Sequence, residues 1–152
     1  MERKRLRHPS IDYSEPGRAF SVTIATRDRI PVFRDVSLGL RSVDLLRRVC
    51  ERSRTKVFAY CLMPDHAHLL LGLGTDVSLP SLLGAWKSLT YRARRGLGKL
   101  EPMWQRSFFD HALRRDEDLQ KAAEYILNNP VRDRLVKARR DYPLCGSFEF
   151  DV

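Results

Sequence analysis

A chain of 152 residues, 43% of them hydrophobic, suits one domain around one core and is too short for two independent cores. Twenty-eight Lys and Arg against nineteen Asp and Glu leave a formal charge of +9, which favours a polyanionic partner whose counterions are released on binding. No apolar run approaches the roughly 18 residues of a membrane span, and the basic start MERKRLRH has no apolar stretch behind it, so neither a membrane partner nor a secretory signal is expected and the chain reads as cytoplasmic.

Arginine dominates the basic count, and its planar fork matches phosphate and base edges, so nucleic acid leads over an anionic membrane surface as partner. Cys50, Cys61 and Cys145 are odd in number and lack a CxxC spacing; they suit small core positions and are assigned no chemistry.

Residues 1–18 are polar and basic with Pro9, Pro16 and Gly17, an arm preceding a core over residues 19–150 within a single domain, 1–152. Residues 19–26, AFSVTIAT, alternate and are β-branched, the pattern of a first strand, and 27–35 turn away from it. Over 37–54, Leu38, Leu40, Val43, Leu46 and Val49 recur at helical spacing, predicting an amphipathic helix on the sheet. A second strand is expected over 56–63, a tight break at Pro64 and Asp65, and a third strand over 66–73, paired antiparallel because so short a connection cannot make a parallel crossover.

The third strand carries the first candidate chemistry. Side chains alternate faces along a strand, so His66 and His68 project on one side while Ala67 faces the other, a pair of imidazoles able to grip a divalent metal from a rigid element. Two ordinary half-buried histidines are the plainer alternative. If they bind metal as neutral ligands, affinity drops as pH falls through the imidazole range near 6.5.

Residues 74–80 form a loop, and Ser78 or Ser81 can cap the helix that follows to about residue 95. That helix bears Lys87, Tyr91, Arg92, Arg94 and Arg95, with Trp86 beside them, a basic surface with interleaved aromatics that can track and stack on nucleic acid; a solvated basic face is the alternative. Residues 96–103 connect, 104–114 read as extended, and 116–128 as a helix capped by Asp116 and stopped at Pro130. A short basic helix over 131–140 and a tail anchored by Tyr142, Phe148 and Phe150 complete the chain. The order strand, helix, strand, strand, helix, strand is that of a ferredoxin-like α+β sandwich, with a mainly antiparallel sheet and the histidine strand central.

Tyr125 and Asn129 lie four apart, on one face if both are helical. A phenol can attack a phosphodiester when a divalent cation polarises the phosphate, and an amide oxygen can help hold that cation; a core-facing tyrosine and a helix stop are the alternative reading. Tyr91, among arginines but with no Asn or Gln one turn on, is the rival nucleophile.

PDHAH after a strand, then WQRSFFDHALR, an acidic helix running into YILNNPVRDRLV and a closing DYPLCGSF together resemble the REP-associated tyrosine transposases, in the superfamily of single-strand transposases with an HUH motif. The resemblance runs from about residue 20 to 148. It implies a catalytic Tyr125, Mg²⁺ or Mn²⁺ held by His66 and His68 with Asn129 as third ligand, and cleavage and rejoining of single-stranded, hairpin-bearing DNA through a 5′-phosphotyrosine. Many superfamily members carry Gln where Asn129 stands. His111 belongs to the resembling block without an assigned role. Monomer and homodimer with shared active sites both stay open, and the alternative functions are a domesticated, non-cleaving hairpin binder of DNA or RNA and a metal-dependent nuclease.

Overall fold

The computed structural model describes residues 18–113 and 119–151; most of the expected arm and the expected cap at Asp116 lie outside them. Strand β1 (Ala19–Ala25) buries Phe20, Val22 and Ile24 on one face and presents Ser21, Thr23 and Ala25 on the other, as its alternation requires. Strand β3 (His66–Gly72) lies between β1 and β2 (Lys56–Met63), antiparallel to both, and β4 (Phe109–Ala112) closes the outer edge of β1. A fifth short strand, β5 (Cys145–Gly146), pairs with β2 and gives the order β4-β1-β3-β2-β5. The fold is therefore an α+β ferredoxin-like sandwich, with the histidine strand at its centre.

Helix α1 (Val36–Arg52) starts where Asp35 Oδ1 accepts from the Leu38 amide at 3.1 Å. Its buried stripe contains Leu38, Ser42, Leu45, Leu46 and Cys50. Leu40, expected in that stripe, is 51% exposed, because two helical steps from Leu38 carry it to the opposite side. Helix α2 (Leu79–Gly96) is capped by Ser78, whose hydroxyl accepts from the Ser81 amide. Both helices cover the face of Phe20, Val22, Ile24, Ala67, Leu69 and Leu71, in one continuous core. A buried polar contact fixes their mutual position, Trp86 Nε1 donating to the Ser42 carbonyl at 2.9 Å, and Trp104 Nε1 ties the segment after α2 back to it through Thr90 Oγ1 at 2.8 Å.

The opposite face is covered in part by α3 (Leu119–Leu127), whose Ala123, Ile126 and Leu127 pack on Ala59, Cys61, Met63 and Leu70. Val57 and Ala59 have the same parity yet serve different cores, because the β2–β3 register shifts between them; such a bulge reverses the alternation.

Three expectations are corrected. Of the extended stretch over 104–114, the described residues 104–113 contain four strand residues; Trp104 makes an isolated bridge to Thr26 while its ring turns inward against Trp86. Pro130 does not end structure but sits in the first turn of a short helix, α4 (Asn129–Arg132), where its missing N–H is no loss. The helix expected over 131–140 stops there, since Arg134 takes φ 60°, in the left-handed region that breaks an α-helix. The tail is anchored as read: Phe148 packs on Tyr60 with ring centroids 5.1 Å apart, and Phe150 on Phe58 at 6.0 Å.

Candidate active site

His66 and His68 sit on β3 on the α3 side of the sheet, in register with Met63 and Cys61 on β2 and with Ala25 and Thr23 on β1. The turn that delivers them is pinned: the Asp65 carbonyl accepts from the Thr26 amide at 3.0 Å and from Thr26 Oγ1 at 2.9 Å, and the Pro64 carbonyl accepts from the Phe33 amide at 3.1 Å. The two rings lie edge to face, centroids 4.7 Å apart.

Each imidazole is oriented through Nδ1. His66 Nδ1 lies 2.7 Å from Asp65 Oδ1, whose other oxygen accepts from Arg29 Nε at 3.1 Å. His68 Nδ1 lies 3.1 Å from Thr23 Oγ1. Histidines that hold metals have this arrangement, one nitrogen tied to a carboxylate or hydroxyl and Nε2 left to ligate. Burial, then the neighbouring His66, Arg132 and Arg29, pull the His68 pKa down to about 4, so its ring is neutral near pH 7 and needs no proton removed to ligate. Burial by itself raises the Asp65 pKa, but the His66 hydrogen bond and the Arg29 charge outweigh it and hold the carboxyl below its ordinary value.

Arg29 reaches Asp65 from a single 3₁₀ turn in which Asp28 (φ 54°) and Arg29 (φ 57°) are both left-handed. Two adjacent non-glycine residues in that region cost on the order of 1 kcal/mol or more each. Thr26, fully buried and bonded to both Ile30 and Asp65 carbonyls, holds the turn in place.

Tyr125 stands near the end of α3 and is 63% exposed. It does not share one continuous helix with Asn129: α3 ends at Leu127 and Asn129 opens α4, although Asn128 between them keeps helical φ and ψ. Asn129 is buried, and its Oδ1 accepts from Arg132 Nη2 at 2.7 Å. The same guanidinium lies 3.9 Å above the Tyr125 ring and donates through Nη1 to the Tyr125 carbonyl at 3.1 Å.

The residues expected on the basic helix are not brought to this face, for α2 covers the other side of the sheet. Lys87 Nζ donates to the Gln105 carbonyl at 2.5 Å and the Arg106 carbonyl at 3.4 Å, and burial lowers its pKa. Arg94 is buried and turned to the Glu101 carbonyl and carboxylate, and Tyr91 Oη donates to the Leu100 carbonyl at 3.5 Å. Arg92 and Arg95 are exposed. His111 lies on β4 opposite Ser21, two strands from the imidazole pair.

Sequence reasoning missed Thr23, Asp65, Arg29 and Arg132. A carboxylate beside His66 was a usable signal, since ligating histidines are oriented by such groups. The others become neighbours only through strand register and the turn after α3.

The residues fit a divalent cation. Two imidazoles share one face with both Nδ1 atoms engaged, and the Asn129 amide oxygen, with two lone pairs, accepts one hydrogen bond among the described residues. Among the described residues no group of three His, Cys, Asp or Glu could hold a metal, so the pair depends on another oxygen donor.

Comparison with known proteins gives the family and the fold. Residues 19–129 match the family described as "Transposase IS200 like", a span that includes both histidines, Tyr125 and Asn129. A Haemophilus influenzae protein classed with the REP-associated tyrosine transposases is 29% identical over 153 residues, covering 93% of this chain and 85% of that protein. An Escherichia coli REP-associated tyrosine transposase is 29% identical over 99 residues, 64% of this chain and 56% of that one. Among solved structures, a REP-associated tyrosine transposase bound to a REP hairpin superposes with a TM-score of 0.73 at 24% identity, covering 95% of this chain and 82% of that one. A transposase-like protein of Deinococcus radiodurans gives 0.51 at 24% identity, covering 84% and 97%. These two likenesses concern the fold.

Proposed function

This chain belongs to the IS200-like transposase family, whose activity is DNA strand transfer, and from that premise we propose that it is a REP-associated tyrosine transposase acting on single-stranded, hairpin-bearing DNA. The observation that carries the reading is the imidazole pair, each ring tied at Nδ1, on the sheet face that also receives the helix of Tyr125. The hairpin as partner follows from the solved relative, which was bound to one.

In this mechanism His66, His68 and Asn129 would hold a divalent cation. Mg²⁺ or Mn²⁺ held there supplies Lewis acidity at the scissile phosphate. Asp65 and Thr23 keep the two rings from rotating, so the ligand atoms need not be reorganised during the reaction. The Tyr125 oxygen attacks phosphorus and loses its proton; the bond from phosphorus to the 3′ oxygen breaks, and that oxygen leaves as a 3′-hydroxyl with a proton taken up. The 5′-phosphotyrosine retains the energy of the phosphodiester, and a second 3′-hydroxyl reverses the chemistry to rejoin DNA. Arg92 and Arg95, exposed on α2, are phosphate contacts for the hairpin stem away from the reacting face.

The experiment is incubation of wild type, Tyr125→Phe and Tyr91→Phe with a labelled hairpin-bearing single strand and Mg²⁺, followed by denaturing electrophoresis. Wild type and Tyr91→Phe are expected to form a covalent adduct and Tyr125→Phe none, while its DNA binding survives. An adduct on Tyr125→Phe that Tyr91→Phe lacks moves the nucleophile to α2. No adduct on any protein, with the strand intact, leaves the non-cleaving hairpin binder as the function, and cut strand without adduct leaves the metal-dependent nuclease.

A further inference from the structure

Each residue proposed as a metal ligand has a partner that sets its orientation: Asp65 for His66, Thr23 for His68 and Arg132 for Asn129. The third partner differs from the others because it also touches the proposed nucleophile. Arg132 is exposed and projects from α4 back over the end of α3, where three contacts converge: Nη2 to Asn129 Oδ1, Nη1 to the Tyr125 carbonyl, and the guanidinium plane over the Tyr125 ring. A guanidinium has donors and no acceptor, so it donates only to the oxygen of the Asn129 amide and decides which end of that amide faces it. Its fork is planar and fixed, so the two donated bonds and the ring contact are set together.

We propose that Arg132 is a positioning residue that locks the Tyr125 phenol and the Asn129 amide into one unit, so that nucleophile and third ligand address the same phosphate. The proposal rests on the tyrosine-transposase reading for its purpose, but the locking itself is a property of the metal-free protein. Between α3 and α4 the chain keeps helical φ and ψ at Asn128, but Pro130 has no N–H to continue the ladder, and the Arg132 guanidinium ties Tyr125 to Asn129 across that point. Positioning of this kind matters because small displacements of a nucleophile cost large factors in rate.

Arg132→Lys is the informative variant, because it keeps the charge and removes the fork; Arg132→Gln removes both. In the metal-free protein, the Asn129 side-chain amide and the Tyr125 ring resonances are both expected to shift in each variant. Under single turnover with Mg²⁺, adduct formation is expected to slow about 10- to 100-fold in Arg132→Lys, while its affinity for the same strand measured in chelator stays within about twofold of wild type. A Lys variant that reacts like wild type overturns the proposal, and so does a rate loss matched by an equal loss of DNA affinity, which makes Arg132 a phosphate contact. If the wild type itself forms no adduct, the tyrosine reading fails and the resonances decide the lock alone: an Asn129 amide unmoved by either substitution overturns it.

Discussion

Lowering the pH tests the electrostatics of the imidazole pair without any metal or DNA. His68 is depressed from 6.5 to about 4, chiefly by burial and then by His66, Arg132 and Arg29. Below pH 6.5 the unfolded chain takes up a proton at His68 and the folded chain does not, so its share of stability is intact above about 6.5, falls with pH, and is fully lost by about 4. At 1.36 kcal/mol per pH unit the gap between 6.5 and about 4 comes to about 3 kcal/mol, an upper bound because the ring retains some solvent contact. The assay is urea unfolding in chelator from pH 7.5 to 4, comparing wild type with His68→Gln. The difference between the two isolates this group from Asp65, whose depressed carboxyl gives up its own contribution only as pH falls through a lower window. The variant is expected to lose less stability on acidification, by up to about 3 kcal/mol. Parallel curves, or a His68 proton resonance titrating near 6.5, would refute the reasoning. The same result bears on metal capture, because a ring already neutral at pH 5 does not make affinity fall through 6.5 as an ordinary imidazole would.

Asp65→Asn keeps an acceptor near His66 Nδ1 but removes its charge, and is expected to weaken Mn²⁺ binding about 10- to 100-fold in calorimetric titration; affinity within twofold of wild type would show that Asp65 does not orient a ligand. Trp86→Phe deletes a fully buried indole and its bond to the Ser42 carbonyl, with an expected loss of about 2 kcal/mol in urea unfolding; a loss below about 0.5 kcal/mol would mean that the α1–α2 contact repacks freely. Replacing Arg92 and Arg95 by Ala is expected to flatten the log-log salt dependence of hairpin binding by up to about 1.8, at roughly 0.9 per duplex phosphate contact, whereas Lys87→Ala leaves the slope alone and lowers stability. An unchanged slope in the arginine pair places the DNA path elsewhere.

What was legible in the sequence was what depends on neighbours a few residues away. Alternation in AFSVTIAT puts Phe20, Val22 and Ile24 inside, and the same period puts His66 and His68 on one face. Leu40 misled because a run of leucines looks like a stripe until the angle is counted. Lys87 resembled a free surface charge because its acceptors, the Gln105 and Arg106 carbonyls, lie well beyond it in the chain. The pairing of Thr23 with His68 needs the β1–β3 register, and the Arg132 contacts need a turn that the motif Asn-Asn-Pro reads merely as a stop.

The division of the sheet into two faces explains how the imidazole pair can stay partly open on a rigid strand. The α1–α2 side carries most of the buried apolar surface, including Trp86 and the inward residues of three strands, so the other side need not be covered completely. That frees the imidazoles for a ligand while the strand beneath them stays rigid through Leu69, Leu70 and Leu71, all fully buried. The left-handed pair Asp28 and Arg29 fits the same logic. A conformation that costs stability persists when its surroundings over-determine it, and here the buried Thr26 fixes the turn to the β2–β3 hairpin. The strain brings Arg29 to Asp65, and Asp65 in turn holds His66. A glycine at Asp28 would therefore relax the turn's strain without removing any of these contacts, and the order in the imidazole pair rests on the hydrogen bonds and not on the strain itself.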